Sequence, residues 1–456
     1  MTRGISTGMA AGLSAALLVV GLLVGAFAIG PLTLTPAIVT VERTTTAPGA
    51  TVTVGGTTVT VTGPTVTITN TVTVSAGTPG LGVDVIKIGA LEPLTGPFAL
   101  WGKQHLEGAK MAVDEINAKG GVLGAKLELV VVDEKNDARE ATTAFRKMVE
   151  VDKVVAVMGT VSSGIGAALS PLAEELKTPL LFHMSGAHTL LKLSSRFVFR
   201  TCLPAAPMNA EVLGEFVQQQ GLKTVAAVIG SYEWGFAIRD SLQKSIENLN
   251  GVRLEIVEAP VGERDFTTYL RKIQPLNPDI LVVIGHPPGA GTIISQALDL
   301  GIKPKYFIGP YNPVAAWIGV LGEQRFVESG VVDYTCVDYS TPEWRELAAK
   351  FNARTGLFFD HDAATGYLNV YMIVNAIEKT QSADPVKIAE YFRTGYFYHP
   401  ILAWPMTYTE WGEFKSARLT LYMPVLGDPG ETNRGANWVP NIIFRSSPVE
   451  PYRPPS

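Results

Sequence analysis

Residues 85–137 read VIKIGALEPLTGPFALWGKQHLEGAKMAVDEINAKGGVLGAKLELVVVDEKND: an apolar run, a long amphipathic segment, then a second apolar run. Val85–Ala90 and Leu127–Val132 are nearly continuous in apolar, largely β-branched residues, the mark of strands covered on both faces of a sheet. Between them Leu106, Ala109, Val113 and Ile116 share one helical face, and Lys103, Glu107, Lys110 and Asp114 the opposite one. Gly120-Gly121 stop the helix. The unit is strand–helix–strand, and its strands are expected to run parallel.

The same alternation continues on the C-terminal side. Strands are expected at Val154–Met158, Leu180–His183, Thr224–Ile229, Asp279–Ile284 and Tyr306–Ile308. Helices are expected at 138–151, 164–176, 207–220, 235–249, 291–300, 341–354 and 363–379. A βαβ pattern repeated twice over predicts an α/β chain of two doubly wound lobes. After Ala403 the chain turns β-like and rich in Pro and Gly, and residues 441–456 read as a loose tail.

The 456 residues suffice for two or three domains, and with 46% hydrophobic and 17% charged residues the chain can bury a large core. A net charge of −5, from 37 basic and 42 acidic residues, excludes a nucleic-acid partner held by clustered Lys and Arg. Cys202 and Cys336 show neither metal spacing nor a disulfide framework, and one bridge or two buried thiols both fit.

Residues 1–30 read as a membrane anchor or a signal peptide. The uncharged run Met9–Ile29 follows Arg3 and reaches the ~20 residues that span a bilayer. Ala26-Phe27-Ala28 offers a cleavage site, so retention and cleavage both remain open. Either way the rest of the chain is expected to be extracytoplasmic. Residues 31–82 alternate Thr with Val between glycines, which predicts extended backbone: a Thr-faced hairpin stack, a glycosylated stalk or a flexible spacer.

In open α/β sheets ligands bind beyond the carboxyl ends of the strands. Thr160-Val161-Ser162-Ser163-Gly164 follows one strand and opens a helix. Hydroxyls and unpaired N–H groups there would face an anion such as a carboxylate, although Ser162 can equally serve as a plain helix cap. Ser185, Gly186 and Ala187 follow the next strand. Trp101, Trp234 and Tyr311 stand in polar, glycine-rich loops where rigid rings make walls for a small ligand.

Catalytic readings find no support. Val161 and His183 stand where a serine-nucleophile elbow would need glycine, and no phosphate loop or HExxH pair exists. Gly164-Ile165-Gly166 lacks the third glycine of a dinucleotide fingerprint. His183 and His188 have no acidic or Cys partner nearby in sequence. They are expected to contact the cleft or pack at a strand end rather than hold a metal. No cofactor is expected.

Residues 86–137, GTVSSGIGAALSPLAEELKTPLL (159–181), FVFRTC (197–202) and DFTTYLRKIQPLNPDILVVIG (265–285) together resemble the leucine/isoleucine/valine-binding type of ABC-transporter receptor, a type I periplasmic binding protein. The similarity covers residues 84 to about 425. It implies two Rossmann-like lobes with three hinge crossings: lobe 1 from 83–203 plus 336–403, lobe 2 from 204–335 plus 404–440. It also implies a small-molecule ligand taken up by lobe closure, and partners in a membrane permease pair with its ATPases. Ser163 matches the serine that grips the ligand carboxylate, Ser185 the following loop and Trp101 the ring after the first strand.

The amino-group side departs from the family. Gly186-Ala187 replaces the usual Ala-Thr, Trp234 a Tyr, His286 an aromatic and Tyr311 an acidic residue. An ammonium group enclosed there lacks its usual counter-charge unless Asp133 or Glu233 faces the cleft. The expected ligand is therefore an amino acid held differently, or a related carboxylate or amide. A sensor domain read by a partner membrane protein is the main rival. A cell-surface hydrolase lacks a nucleophile–base pair, and a structural surface protein would not explain the cleft motifs.

Overall fold

The computed structural model describes the backbone of residues 38–45, 51–54, 57–60 and 66–73, and residues 81–287 and 289–455 in full. The chain divides into a unit ending at Pro79 and a larger one beginning at Gly80. The expected membrane run, Met9–Ile29, lies outside the described residues. Among those described, no helix is long and apolar enough to cross a membrane.

In the first unit β1 (Ile38–Thr45) pairs antiparallel with β4 (Val66–Thr73), and β2 (Thr51–Val54) with β3 (Thr57–Thr60). Thr45 faces Val66 and Thr51 faces Thr60, so the inner ladder continues the register of the outer one. Val54 and Thr57 are partners, so two residues of sequence separate the paired strands.

The larger unit opens with β5 (Val85–Glu92), α1 (Ala99–Ala118), β6 (Lys126–Asp133) and α2 (Ala138–Lys147). Then come β7 (Val157–Gly159), α3 (Ser163–Leu176), β8 (Leu180–Phe182) and β9 (Val198–Arg200). The five strands form one parallel sheet in the order β6-β5-β7-β8-β9. The helix expected over 138–151 narrows to α2 and then widens into a π turn at Met148–Asp152, closed by Lys153 in left-handed conformation. Strand β7 accordingly starts later than its apolar run.

The second sheet begins with α4 (Ala206–Gln219), β10 (Thr224–Gly230), α5 (Glu233–Ile246), β11 (Arg253–Ala259), α6 (Thr267–Ile273) and β12 (Ile280–Ile284). It continues with α7 (Gly289–Asp299), β13 (Tyr306–Ile308), α8 (Val314–Glu328) and β14 (Val331–Thr335). The chain then forms α9 (Pro342–Thr355), α10 (His361–Thr380) and α11 (Pro385–Thr394) before returning as β15 (Thr420–Leu426) and β16 (Trp438–Arg445). The order is β11-β10-β12-β13-β14-β15-β16, with the last two strands antiparallel.

Helix α10 returns to the first lobe, where it lies against α1. A Cβ on Gly108 would stand 1.9 Å from the Ala363 carbonyl oxygen, and one on Gly366 1.9 Å from that of His105. The helices touch backbone to backbone at this crossing, which only glycine permits, and His105 is thereby brought to Asp362.

Residues 441–455 are not a loose tail. The apolar residues of β16 extend the second sheet, Trp438 is fully buried, Val449 N–H donates to the Ala417 carbonyl (2.9 Å), and the Trp411 indole N–H to that of Tyr452 (3.2 Å). Cys202 and Cys336 form a disulfide joining the chain just after β9 to the chain just after β14, two passages between the lobes. Beside it the fully buried Arg200 pairs with Glu413 (2.7 Å) on a third passage.

Candidate functional site

The carboxyl ends of the parallel strands of both lobes face one crevice of about 510 Å³, its open mouth included. Lobe 1 contributes Phe98, Trp101, Val161, Ser162, Ser163, Met184 and Leu203. Lobe 2 contributes Tyr232, Trp234, Val283–Gly285, Pro287 and Pro310–Asn312. No described lining residue is Asp, Glu, Lys, Arg or His. The polar groups are the hydroxyls of Ser162, Ser163, Tyr232 and Tyr311, the Asn312 amide, the two indoles and backbone.

Ser162 is the N-cap of α3, but its side chain makes no capping bond, so it does not serve as the plain cap. Ser163 opens the helix, almost wholly buried, and its Oγ accepts the Ala187 N–H (3.1 Å). Hydroxyl and helix start therefore face the crevice together, where the N–H groups of the first turn have no carbonyl of their own helix to meet.

The next loop is placed differently from expectation. Ser185 Oγ lies 2.7 Å from Thr160 Oγ1 and donates to the Ser162 carbonyl (3.1 Å), so it braces the helix start from behind and is absent from the lining. Gly186 packs under the Trp234 ring: a Cβ there would come within 2.4 Å of it. Ala187 is fully buried. Arg200 fixes this loop by donating to the Ser185 and Ala187 carbonyls, both at 2.7 Å.

Trp101, Trp234 and Tyr311 do line the crevice. The Trp101 indole N–H reaches across the lobes to the Tyr311 carbonyl (3.3 Å). Tyr311 adopts φ +60°, and its hydroxyl, buried in the wall, has no hydrogen-bond partner among the described residues. His286 stands just outside the lining, edge-on to Phe98 (5.0 Å) and Tyr232 (5.4 Å). Burial lowers its pKa.

Neither acidic candidate supplies a counter-charge. Asp133 accepts the N–H groups of Leu94 (2.9 Å) and Lys135 (2.9 Å) and the Thr95 hydroxyl (2.6 Å), and Glu233 accepts the Thr189 hydroxyl (3.0 Å). Both lie outside the lining. The acid nearest the wall is Asp333, buried behind it, which accepts N–H groups of Tyr311 (2.5 Å), Asn312 (3.1 Å) and the Trp317 indole (3.1 Å). Burial pushes its carboxyl up to about 7 in spite of His361 and those donors.

Sequence reasoning passed over Phe98, Met184, Leu203, Tyr232 and Asn312. Tyr232 and Asn312 adjoin chosen residues, and Phe98 sits in the loop after β5, so position alone would have flagged these three. It also placed His183 without an acidic partner. In the fold His183 Nδ1 lies 2.6 Å from Glu92 Oε1, and His105 Nδ1 3.1 Å from Glu92 Oε2. These three could hold a metal ion, since their donor atoms all lie within 4.8 Å of one another. Burial opposes charge on His105, yet Glu92 and Asp362 push its pKa up to about 9, whereas burial keeps that of His183 low.

Two lobes closing on an uncharged crevice with a helix start at its wall are the geometry of a solute clamp. The sequence pattern of the family described as periplasmic binding protein matches residues 85–414. The chain belongs to that family. This periplasmic binding protein is 27% identical over 348 residues to the leucine-, isoleucine-, valine-, threonine- and alanine-binding protein of Pseudomonas aeruginosa, covering 75% of this chain and 90% of that one.

Two solved structures show the same fold. One is a branched-chain amino acid transporter substrate binding protein from Streptococcus pneumoniae in complex with isoleucine (TM-score 0.66, 21% identity, 80% of this chain and 100% of that one). The other is a solute binding protein of an ABC transporter from Rhodopseudomonas palustris in complex with 3,4-dihydroxybenzoic acid (TM-score 0.68, 19% identity, 81% and 99%). The family is one of solute-binding proteins rather than enzymes.

Proposed function

We propose that the crevice binds an amino acid or a related small carboxylate or amide, and that the closed form is read by an ABC permease with its ATPases. The observation that carries the reading is the placement of Ser162 and Ser163 at the start of α3, facing a crevice otherwise lined by rings, apolar side chains and the Asn312 amide, with no charge among the described lining residues. The helix start holds the carboxylate, and the apolar walls hold the body of the ligand. An ammonium group would be enclosed without an anion, which favours a carboxylate lacking one.

The disulfide fits an oxidising, extracytoplasmic setting. Met9–Ile29 would tether the protein to the membrane or direct its export, with the Thr-rich hairpin as the spacer before the binding unit. The test is thermal unfolding against amino acids, amides, polyamines and aliphatic or aromatic carboxylates. A ligand at ~100 times its Kd adds ~2.7 kcal/mol. A shift with carboxylates lacking an ammonium group is expected. A shift with polyamines alone would sink the reading.

A further inference from the structure

We propose that Glu92, His105 and His183 bind a divalent transition-metal ion of the zinc kind inside the first lobe. Three separate elements bring them together. Glu92 ends β5, His105 lies on α1 and His183 follows β8. All three are at most 1% exposed, and their donor atoms lie within 4.8 Å of one another.

Glu92, His105 and Asp362 form a hydrogen-bonded chain, with both nitrogens of His105 at 3.1 Å from a carboxylate, and His183 stands outside it. Each oxygen of Glu92 faces one imidazole, Oε2 at 3.1 Å from His105 Nδ1 and Oε1 at 2.6 Å from His183 Nδ1. The second contact is close but not aligned as a hydrogen bond: Glu92 Oε1 and both nitrogens of His183 lack a hydrogen-bond partner although fully buried. Buried polar atoms are nearly always hydrogen-bonded. The donor atoms of the three residues lie within 4.8 Å of one another, near enough to share one cation. Zinc takes imidazole nitrogen and carboxylate oxygen at ~2.0–2.2 Å, so neighbouring ligands stand about 3.3 Å apart.

Two further features fit. His105 turns its other nitrogen, Nε2, to Asp362 Oδ1 (3.1 Å), the carboxylate commonly found behind a metal-bound histidine. A divalent ion would offset the carboxylates of Glu92 and Asp362, the second of which also faces His361 (3.3 Å), in a dry core. Two imidazoles and a carboxylate form a donor set suited to zinc and its neighbours rather than to calcium or magnesium. The ion would fix one wall of the crevice, since Trp101 lies one turn before His105 and Met184 follows His183.

The full chain, purified without chelator and then unfolded and refolded with Zn²⁺ or with EDTA, provides the test, with metal content measured by mass spectrometry. About one equivalent of zinc per chain and a higher unfolding midpoint in zinc are expected. His105→Gln and His183→Gln should each lose the ion, and His188→Gln should keep it. If the two variants do not fold, the wild type refolded with Co²⁺ should show the visible absorption of an imidazole-bound ion, displaced by zinc. No stoichiometric metal and no midpoint shift in the wild type would overturn the proposal, as would full metal retention in both folded variants.

Discussion

The indole nitrogen of Trp101, on α1 of the first lobe, donates to the backbone carbonyl of Tyr311, on the second lobe, across 3.3 Å. The bond joins two walls of the crevice and exists only while the lobes are together. A ligand that touches both lobes gains from every such contact, because only its preference for the closed state shifts the population.

Trp101→Phe keeps most of the ring and removes the donor. A net hydrogen bond is worth ~1 kcal/mol, so affinity for the ligand found in the unfolding panel should fall about five-fold. Calorimetric titration reads the affinity, and an unaltered unfolding midpoint of the unliganded protein separates this from general damage. An unchanged Kd would mean that the bond contributes nothing to closure.

Gly186→Ala tests the approach of the lobes from the other side. The added methyl would sit 2.4 Å from the Trp234 ring and 2.6 Å from Leu203. Because Trp234 belongs to the second lobe, the expected result is a wedge: weaker binding by ten-fold or more and a larger radius of gyration with ligand in small-angle scattering. A wild-type radius and affinity would show that Trp234 moves aside freely.

The Cys202–Cys336 bridge spans 134 residues, enough to enclose the whole chain between two lobe passages. A closed loop of this length constrains the unfolded chain strongly, and the double variant Cys202→Ser/Cys336→Ser should lose about 2–5 kcal/mol. Denaturant unfolding with and without reductant measures it. The wild type in reductant should approach the variant, and a variant insensitive to the loss would show that the hinge is held by Arg200 and Glu413 alone.

Glu134 provides a pH test away from the crevice. Burial first of all, and the nearby Glu92 and Asp133 carboxylates, push its pKa up to about 7. The folded state therefore holds this proton more tightly than the unfolded state. Its contribution is fully present below the unfolded value near 4.5 and is lost as pH rises to about 7. The shift corresponds to at most ~3 kcal/mol. Glu134→Gln should flatten the fall in unfolding midpoint between those pH values, and an unaltered slope would assign the dependence to other groups.

Several features needed no structure. The apolar runs at 85–90, 224–229 and 279–284 predict buried parallel strands because a strand covered on both faces has no polar side to show, whereas the run at 127–132, read the same way, forms the edge strand β6 and leaves Val131 exposed. The placement of Ser163, Trp101, Trp234 and Tyr311 follows from the rule that ligands gather at strand carboxyl ends, and all four line the crevice. Strand β11 went unread because its exposed edge alternates charge with apolar residues, and β16 because Pro440 and Asn441 interrupt its apolar run.

The sequence by itself determined the layered α/β architecture and the loops from which the crevice is built, since both rest on local periodicity and on residues adjacent to each strand. Tertiary structure alone decided which loop atoms face inward. Ser185 turns to Thr160 and the Ser162 carbonyl, Gly186 yields its space to Trp234, and the acids stay out of the lining. It also paired Cys202 with Cys336 and carried Glu92, His105, His183 and Asp362 to one buried point. These outcomes depend on contacts between residues far apart in sequence, such as His105 and Asp362 at a separation of 257, and no local pattern records where two distant backbones will cross.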